Sequence, residues 1–296
     1  MGENVNNRYI LLLLFSILLI LTIYMVFTTP IVWLLIFILS ATIYGVLSPL
    51  IAARRFYFLA TEGPHTALFA IAISIVLSRS IGIFNEFIWS IIISMILIYI
   101  VGYAIEKGVD PDIATSAMVA LSSSGSVIAL YHVLTRYSVS YNLWSIILGD
   151  PLLSTWNDVY LLGAVCIIAM LIAIATYSVN VYMGIDREYV KIGLSRPWIY
   201  SYALYTIVAI ASVALLKIVG FVLEHVLILL PAQIAMTISE SSYMVLIISI
   251  FIALLSSLLG LKISIDMNLA PSGAIGIIVL FIYLLVYILK RLKVFG

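Results

Sequence analysis

The feature that most constrains this chain is a succession of apolar runs, each about twenty residues long, with a few polar residues between them. By length they read as membrane spans at about 9–27, 31–52, 60–80, 87–106, 113–135, 157–180, 197–220, 224–238, 242–261 and 272–290. Inside a bilayer only helices and closed barrels satisfy the backbone, and runs of this length are helical. The expected fold class is therefore all-α, a polytopic membrane protein of about ten transmembrane helices. The run 224–238 is short and carries Pro231, which makes it the one segment with a broken or re-entrant reading. Residues 9–27 are long for a signal peptide and lack a small-residue cleavage site, so they read as a retained span.

Composition agrees: 65% of the 296 residues are hydrophobic, 9% are charged and the mean hydropathy is +1.27. A net charge of +1 with scattered basic residues excludes a nucleic-acid partner. The single cysteine, Cys166, excludes a disulfide framework and a thiolate metal cluster. No Gly-x4-Gly-Lys-Ser/Thr motif is present, so any ATP is handled by another chain.

Charges cluster at one interior place, the stretch 182–196, with Asp186, Arg187, Glu188, Lys191 and Arg196. It must face water. Asp186 suits an N-cap, Arg187 to Ile192 a short helix, and Gly193 its stop. If this loop is cytosolic, ten of the 14 lysines and arginines fall inside and only Arg79, Arg136, Lys217 and Lys262 outside. That is the positive-inside pattern, with both termini cytosolic. The loop is then either a solvated connector or a handle for a cytosolic partner.

Ionisable residues within apolar runs are expensive and usually functional. Glu62 and His65 lie three apart, on one face of a helix, roughly 15 Å beyond Arg55. A carboxylate and an imidazole so placed can hold a divalent cation or simply knit helices together. Gly63 and Pro64 would bend or open that helix. A second pair, Glu224 and His225, points in directions about 100° apart unless the backbone bends between Gly220 and Pro231. The other reading pairs Glu224 with Lys217 in outer water. The small polar run from Leu121 to Ser126 suits close packing or a wet path. His132 reads as interfacial. Residues 138–156 form a polar break, an outer loop with its own short helix in which Asp150 before Pro151 suits an N-cap.

Taken together, these segments resemble the zinc/manganese/iron uptake permease family, the membrane subunits of binding-protein-dependent ABC importers. The resemblance rests on Leu47 through His65, on Leu148-Gly149-Asp150-Pro151, on Asp186 through Leu194, on Val219-Gly220 with Pro231, and on Gly260 through Pro271 and Gly273. It covers the chain from about residue 31, leaving 1–30 as a tail and an additional helix. The family's leading block has an aspartate four before the histidine, where this chain has Thr61, with Glu62 one step later. Relatives usually carry an apolar and a small hydroxyl residue where Glu224 and His225 stand. The aspartate expected shortly before Pro271 is shifted, to Asp266 or Asn268.

The resemblance implies a type II ABC importer-like permease domain over 31–296, working as a homodimer in the plasma membrane. A cytosolic ATPase would dock on Asp186, Arg187, Glu188, Lys191 and Gly193, and an extracytoplasmic metal-binding protein would deliver the ion. The subunit is then not an enzyme and holds no permanent cofactor. Its cargo is a divalent ion, Zn, Mn or Fe, passing Glu62, His65, Glu224 and His225, with Thr61 and Asp266 as weaker path residues. Histidine and carboxylate donors without thiolates suit these ions and exclude Cu⁺. The alternatives are an iron-chelate or cobalamin permease, a proton-coupled secondary transporter, or a membrane-embedded metalloenzyme, which would want a denser ligand set than three isolated histidines.

Overall fold

Each apolar run becomes a helix because lipid offers its backbone no other partner. The computed structural model describes residues 2–136 and 151–292. Within them lie α1 (Gly2–Thr28), α2 (Ile31–Arg54), α3 (Tyr57–Ile81), α4 (Glu86–Glu106) and α5 (Pro111–Arg136). A 3₁₀ turn at Pro151–Leu153 precedes α6 (Trp156–Ile185), α7 (Arg187–Gly193), α8 (Trp198–Val219), α9 (Phe221–Ile238), α10 (Ser242–Met267) and α11 (Pro271–Arg291). All but α7 are long and apolar enough to cross a membrane, ten spans in these residues. The expected loop helix within 138–150, with Asp150, lies outside the described residues.

Polar residues mark the ends. Asn85 caps α4 by accepting from the Ile88 amide, Asp110 accepts from Asp112 and Ile113 at the start of α5, and Thr155 with Asp158 forms a capping box on α6. Trp33 Nε1 donates to the Leu152 carbonyl at 2.8 Å, pinning the 3₁₀ turn to the start of α2.

The bundle is built around α2 and α8. Helix α2 packs on α6, α9 and α10, and α8 on α3, α4 and α6. In its most apolar window α8 is 72% buried while α1 is 6% buried, so α1 is a peripheral helix resting mainly on α10. Without a hydrophobic force between helices in lipid, close approach depends on small residues. Gly45 admits the α10 backbone, where a Cβ would stand 2.7 Å from the Ile250 Cα. At Gly184 a Cβ would overlap the Ala53 carbonyl, so α2 and α6 meet backbone to backbone.

The doubtful segment 224–238 is a continuous helix with Pro231 inside it. Proline removes one donor and frees neighbouring backbone groups. The Ser48 hydroxyl of α2 repairs the gap, accepting from the Ala232 amide at 3.0 Å and donating to the Leu229 carbonyl at 3.3 Å. Pro64 likewise sits inside an uninterrupted α3. Between α8 and α9 there is a single residue, Gly220, at φ 87° and ψ 165°, a region only glycine occupies readily. This turn folds the first residues of α9 straight back onto α3, where Phe221 packs with Ala67, Val213 and Leu216.

Gly184→Ala is expected to destabilise the fold by ~1–3 kcal/mol through overpacking. Gly163→Ala on the same helix, where a Cβ meets nothing within 4 Å, should be neutral or stabilising by ~0.5–1 kcal/mol. Unfolding midpoints of the detergent-solubilised variants check the contrast.

Candidate functional site

The helices that meet at the ionisable residues are α3, α5 and α9. Gly125 lets α5 close onto Phe69 of α3, and the Gly220 turn delivers the first turn of α9 from the other side. His65 and His225, both half-buried, come together there with ring centroids 5.5 Å apart at an interplanar angle of 84°. Phe221 stands edge-on to His65 at 4.9 Å and against His225 at 4.3 Å.

Each imidazole is held by its Nδ1. That of His225 lies 2.8 Å from the Phe221 carbonyl. A carbonyl can only accept, so Nδ1 carries the proton and Nε2 keeps its lone pair. His65 Nδ1 pairs with the Ser123 hydroxyl of α5 at 2.9 Å. Orientation of a ligating histidine through its other nitrogen is the usual arrangement in metal sites.

The two carboxylates behave differently. Glu62 is fully buried; its Oε1 accepts from Thr66 at 2.7 Å, Thr66 in turn lies 3.2 Å from Ser122, and Oε2 has no partner. Glu224 is also fully buried, beside Ser212 of α8. Yet neither Glu224 oxygen, nor Ser212 Oγ, has a partner in hydrogen-bonding geometry. Tyr44 of α2, within electrostatic reach of Glu224, has an orphaned buried hydroxyl as well. Gly63 is the reason Ser212 fits, since a Cβ there would stand 2.6 Å from its Oγ. The reading that paired Glu224 with Lys217 in water does not describe this geometry: Lys217 lies over the Phe87 ring at 5.6 Å.

The histidines therefore meet across helices, while no group of three or more His, Cys, Asp or Glu assembles among the described residues. Thr61 bonds its hydroxyl to the Phe58 carbonyl of its own helix. Asp266 pairs with Lys262 on α10 and does not join the histidines. Cys166 is buried.

At the opposite functional segment, Asp186 caps α7 by accepting from the Tyr189 amide at 2.9 Å. Gly193 is the last helical residue rather than a left-handed stop; Leu194 at φ −119° ends the helix. The charges of α7 are engaged within the chain. Lys191 bonds Glu188 at 2.6 Å on the same helix, and Arg187 Nη2 lies 2.6 Å from Glu106 Oε2 at the end of α4. Tyr189 (74%) and Ile192 (86%) project into the open, beside Glu188, whose side chain is 78% exposed. Beside Gly184 and Ile185, a cavity of about 480 Å³ opens between α2, α6 and α10, with Arg55 and Glu240 among its lining residues. Ser123, Ser212 and Glu106 were not singled out from the sequence. Only the small polar run around Ser123 carried a signal, and it pointed first to packing.

The model of the ABC 3 transport family matches residues 26–290. The chain belongs to that family. It is thus a multi-pass permease of the ABC transporter type, and the match encloses both histidines, both buried glutamates and α7 while leaving nearly all of α1 outside. Among solved structures, PsaBC from Streptococcus pneumoniae in complex with Fab aligns with a TM-score of 0.73 at 20% identity, covering 86% of this chain and 89% of that one. At that identity the likeness speaks for the fold. No curated protein sequence matches significantly.

Glu224→Gln in this ABC 3 family member is expected to hold or raise the unfolding midpoint, because it removes a carboxylate that the fold leaves buried and unbonded. A loss of ~1–3 kcal/mol in detergent unfolding would instead reveal a partner for that carboxylate.

Proposed function

We propose that the chain is the membrane subunit of an ABC importer whose cargo is a divalent metal ion of the zinc, manganese or iron class. The observation that carries this reading is the meeting of His65 on α3 with His225 on α9, each fixed through Nδ1 in a half-buried position. Imidazole nitrogens without thiolates suit these ions. Two nitrogens from one chain make a weak, incomplete shell, which suits a path that must release what it binds. A homodimer would double the donor set. Glu62, one turn from His65, and Glu224, next to His225, would offset part of the cost of a dication in hydrocarbon when ionised. Asp266 and Thr61 are given no part in this path, since one is paired with Lys262 and the other with its own backbone.

The energy would come from a cytosolic ATPase seated on α7, with an extracytoplasmic binding protein delivering the ion on the far side. Both termini would then be cytosolic. Because Glu188 and Lys191 already pair with each other, the apolar anchors of the contact with the ATPase would be the projecting Tyr189 and Ile192. Large apolar side chains exposed to water are typical anchors of such contacts.

His65→Ala and His225→Ala should each lower metal uptake roughly tenfold or more with assembly intact. Ser123→Ala, which only frees the His65 ring, should have a smaller effect. Uptake of labelled Zn²⁺, Mn²⁺ and Fe²⁺ alongside the amount of assembled protein checks this, and normal uptake in both histidine variants would remove the site. Uptake that persists without any ATPase would favour a proton-driven carrier.

Ile192→Asp should release the ATPase in co-purification, whereas the charge exchange Glu188→Lys with Lys191→Glu should retain it. The reverse pattern would return the contact to the charged residues.

A further inference from the structure

Movement of α7 has covalent routes into the bundle through α6 and α8. A third, polar route leads to α4. Arg187, the first residue of α7, sets its guanidinium 2.6 Å from the carboxylate of Glu106, the last residue of α4, with side chains only 27% and 19% exposed. Partial removal from water strengthens such a pair relative to an open surface pair. The neighbouring charges are otherwise engaged. Glu188 and Lys191 close on each other. Arg54 at the end of α2 bonds Asn180 and Met183 of α6 and Ser201 of α8, binding those three helices into one block. Helix α4 packs extensively on α3, and α3 carries His65 and Glu62. The pair therefore joins α7 to α4, which packs on both α3 and α8 beside the Arg54 block.

We propose that the Glu106–Arg187 ion pair is the tie through which displacement of α7 reaches α4 and, through it, α3. Both are positioning residues: neither meets the cargo, and each acts through the helix it holds. The proposal rests on the reading of α7 as the segment an ATPase moves, and a coupling of this kind is established only when both partners are varied.

The test uses the full chain, with Cys166→Ala, in complex with its ATPase. Spin labels at Ile83→Cys beyond the end of α3 and Leu153→Cys before α6 report how far α3 shifts when ATP is bound. Metal taken up per ATP hydrolysed, and co-purified ATPase, are read in parallel. In Glu106→Gln and in Arg187→Gln the nucleotide-driven shift should be lost, and metal per ATP should fall roughly fivefold or more, with the ATPase still bound. The exchange Glu106→Arg with Arg187→Glu should restore both, which a role in folding alone would not require. An unchanged shift in Glu106→Gln, an exchange no better than the single variants, or loss of bound ATPase with an unchanged metal-to-ATP ratio would each overturn the tie. A parent protein that shows the shift yet takes up no metal would overturn the metal reading alone.

Discussion

Everything in this molecule follows from the absence of water in the bilayer core. A backbone group without a partner there costs several kcal/mol, so each crossing must close its own hydrogen bonds. The chain meets that demand with ten long helices and, where a proline opens one, with a side chain borrowed from a neighbour. Ser48 serves both as donor and as acceptor at the break around Pro231, and this keeps α9 a single helix. Had the break been left open, the first turn of α9 would lack a firm support, and His225 would not be held against His65.

The same solvent argument makes the polar residues that remain unpaired informative. Among the described residues, Glu62, Glu224, Tyr44 and Ser212 leave buried oxygens without a hydrogen-bond partner, as do Ser40, Tyr205, Ser249 and Glu106 elsewhere. A core selected only for stability would replace them with apolar side chains. Glu62 and Glu224 stand on the two helices, α3 and α9, that carry the histidine pair. Local departures from consistency of this kind concentrate at functional sites.

Much of the architecture was legible in the sequence because span length and apolar composition act locally. The ten crossings, Asp186 as cap and the helix after it needed no tertiary knowledge. The pairing of His65 with His225 did. It spans most of the chain and depends on the Gly220 turn and the Gly125 contact, neither of which announces a partner. Helical spacing correctly put Glu62 and His65 on neighbouring positions. It had no means of saying that Thr66 would draw Glu62 into the α5 contact while Ser123 took His65. The intrachain pairing of the α7 charges was hidden for a related reason. Within the water-facing loop Glu188 pairs with Lys191, and Arg187 reaches back to Glu106, a long-range contact that local pattern does not announce.

The placement of α1 has a consequence for how the chain is made. Its main packing partner is α10, met through Phe15 on Phe251 at 6.4 Å and through Lys262 over the Tyr24 ring. Those contacts lie more than two hundred residues further along, so during synthesis the first helix enters the membrane long before its seat exists. It must wait in lipid as a self-sufficient helix, and its almost wholly apolar, lipid-facing surface suits that wait. Helix α1 is thereby inserted long before it docks.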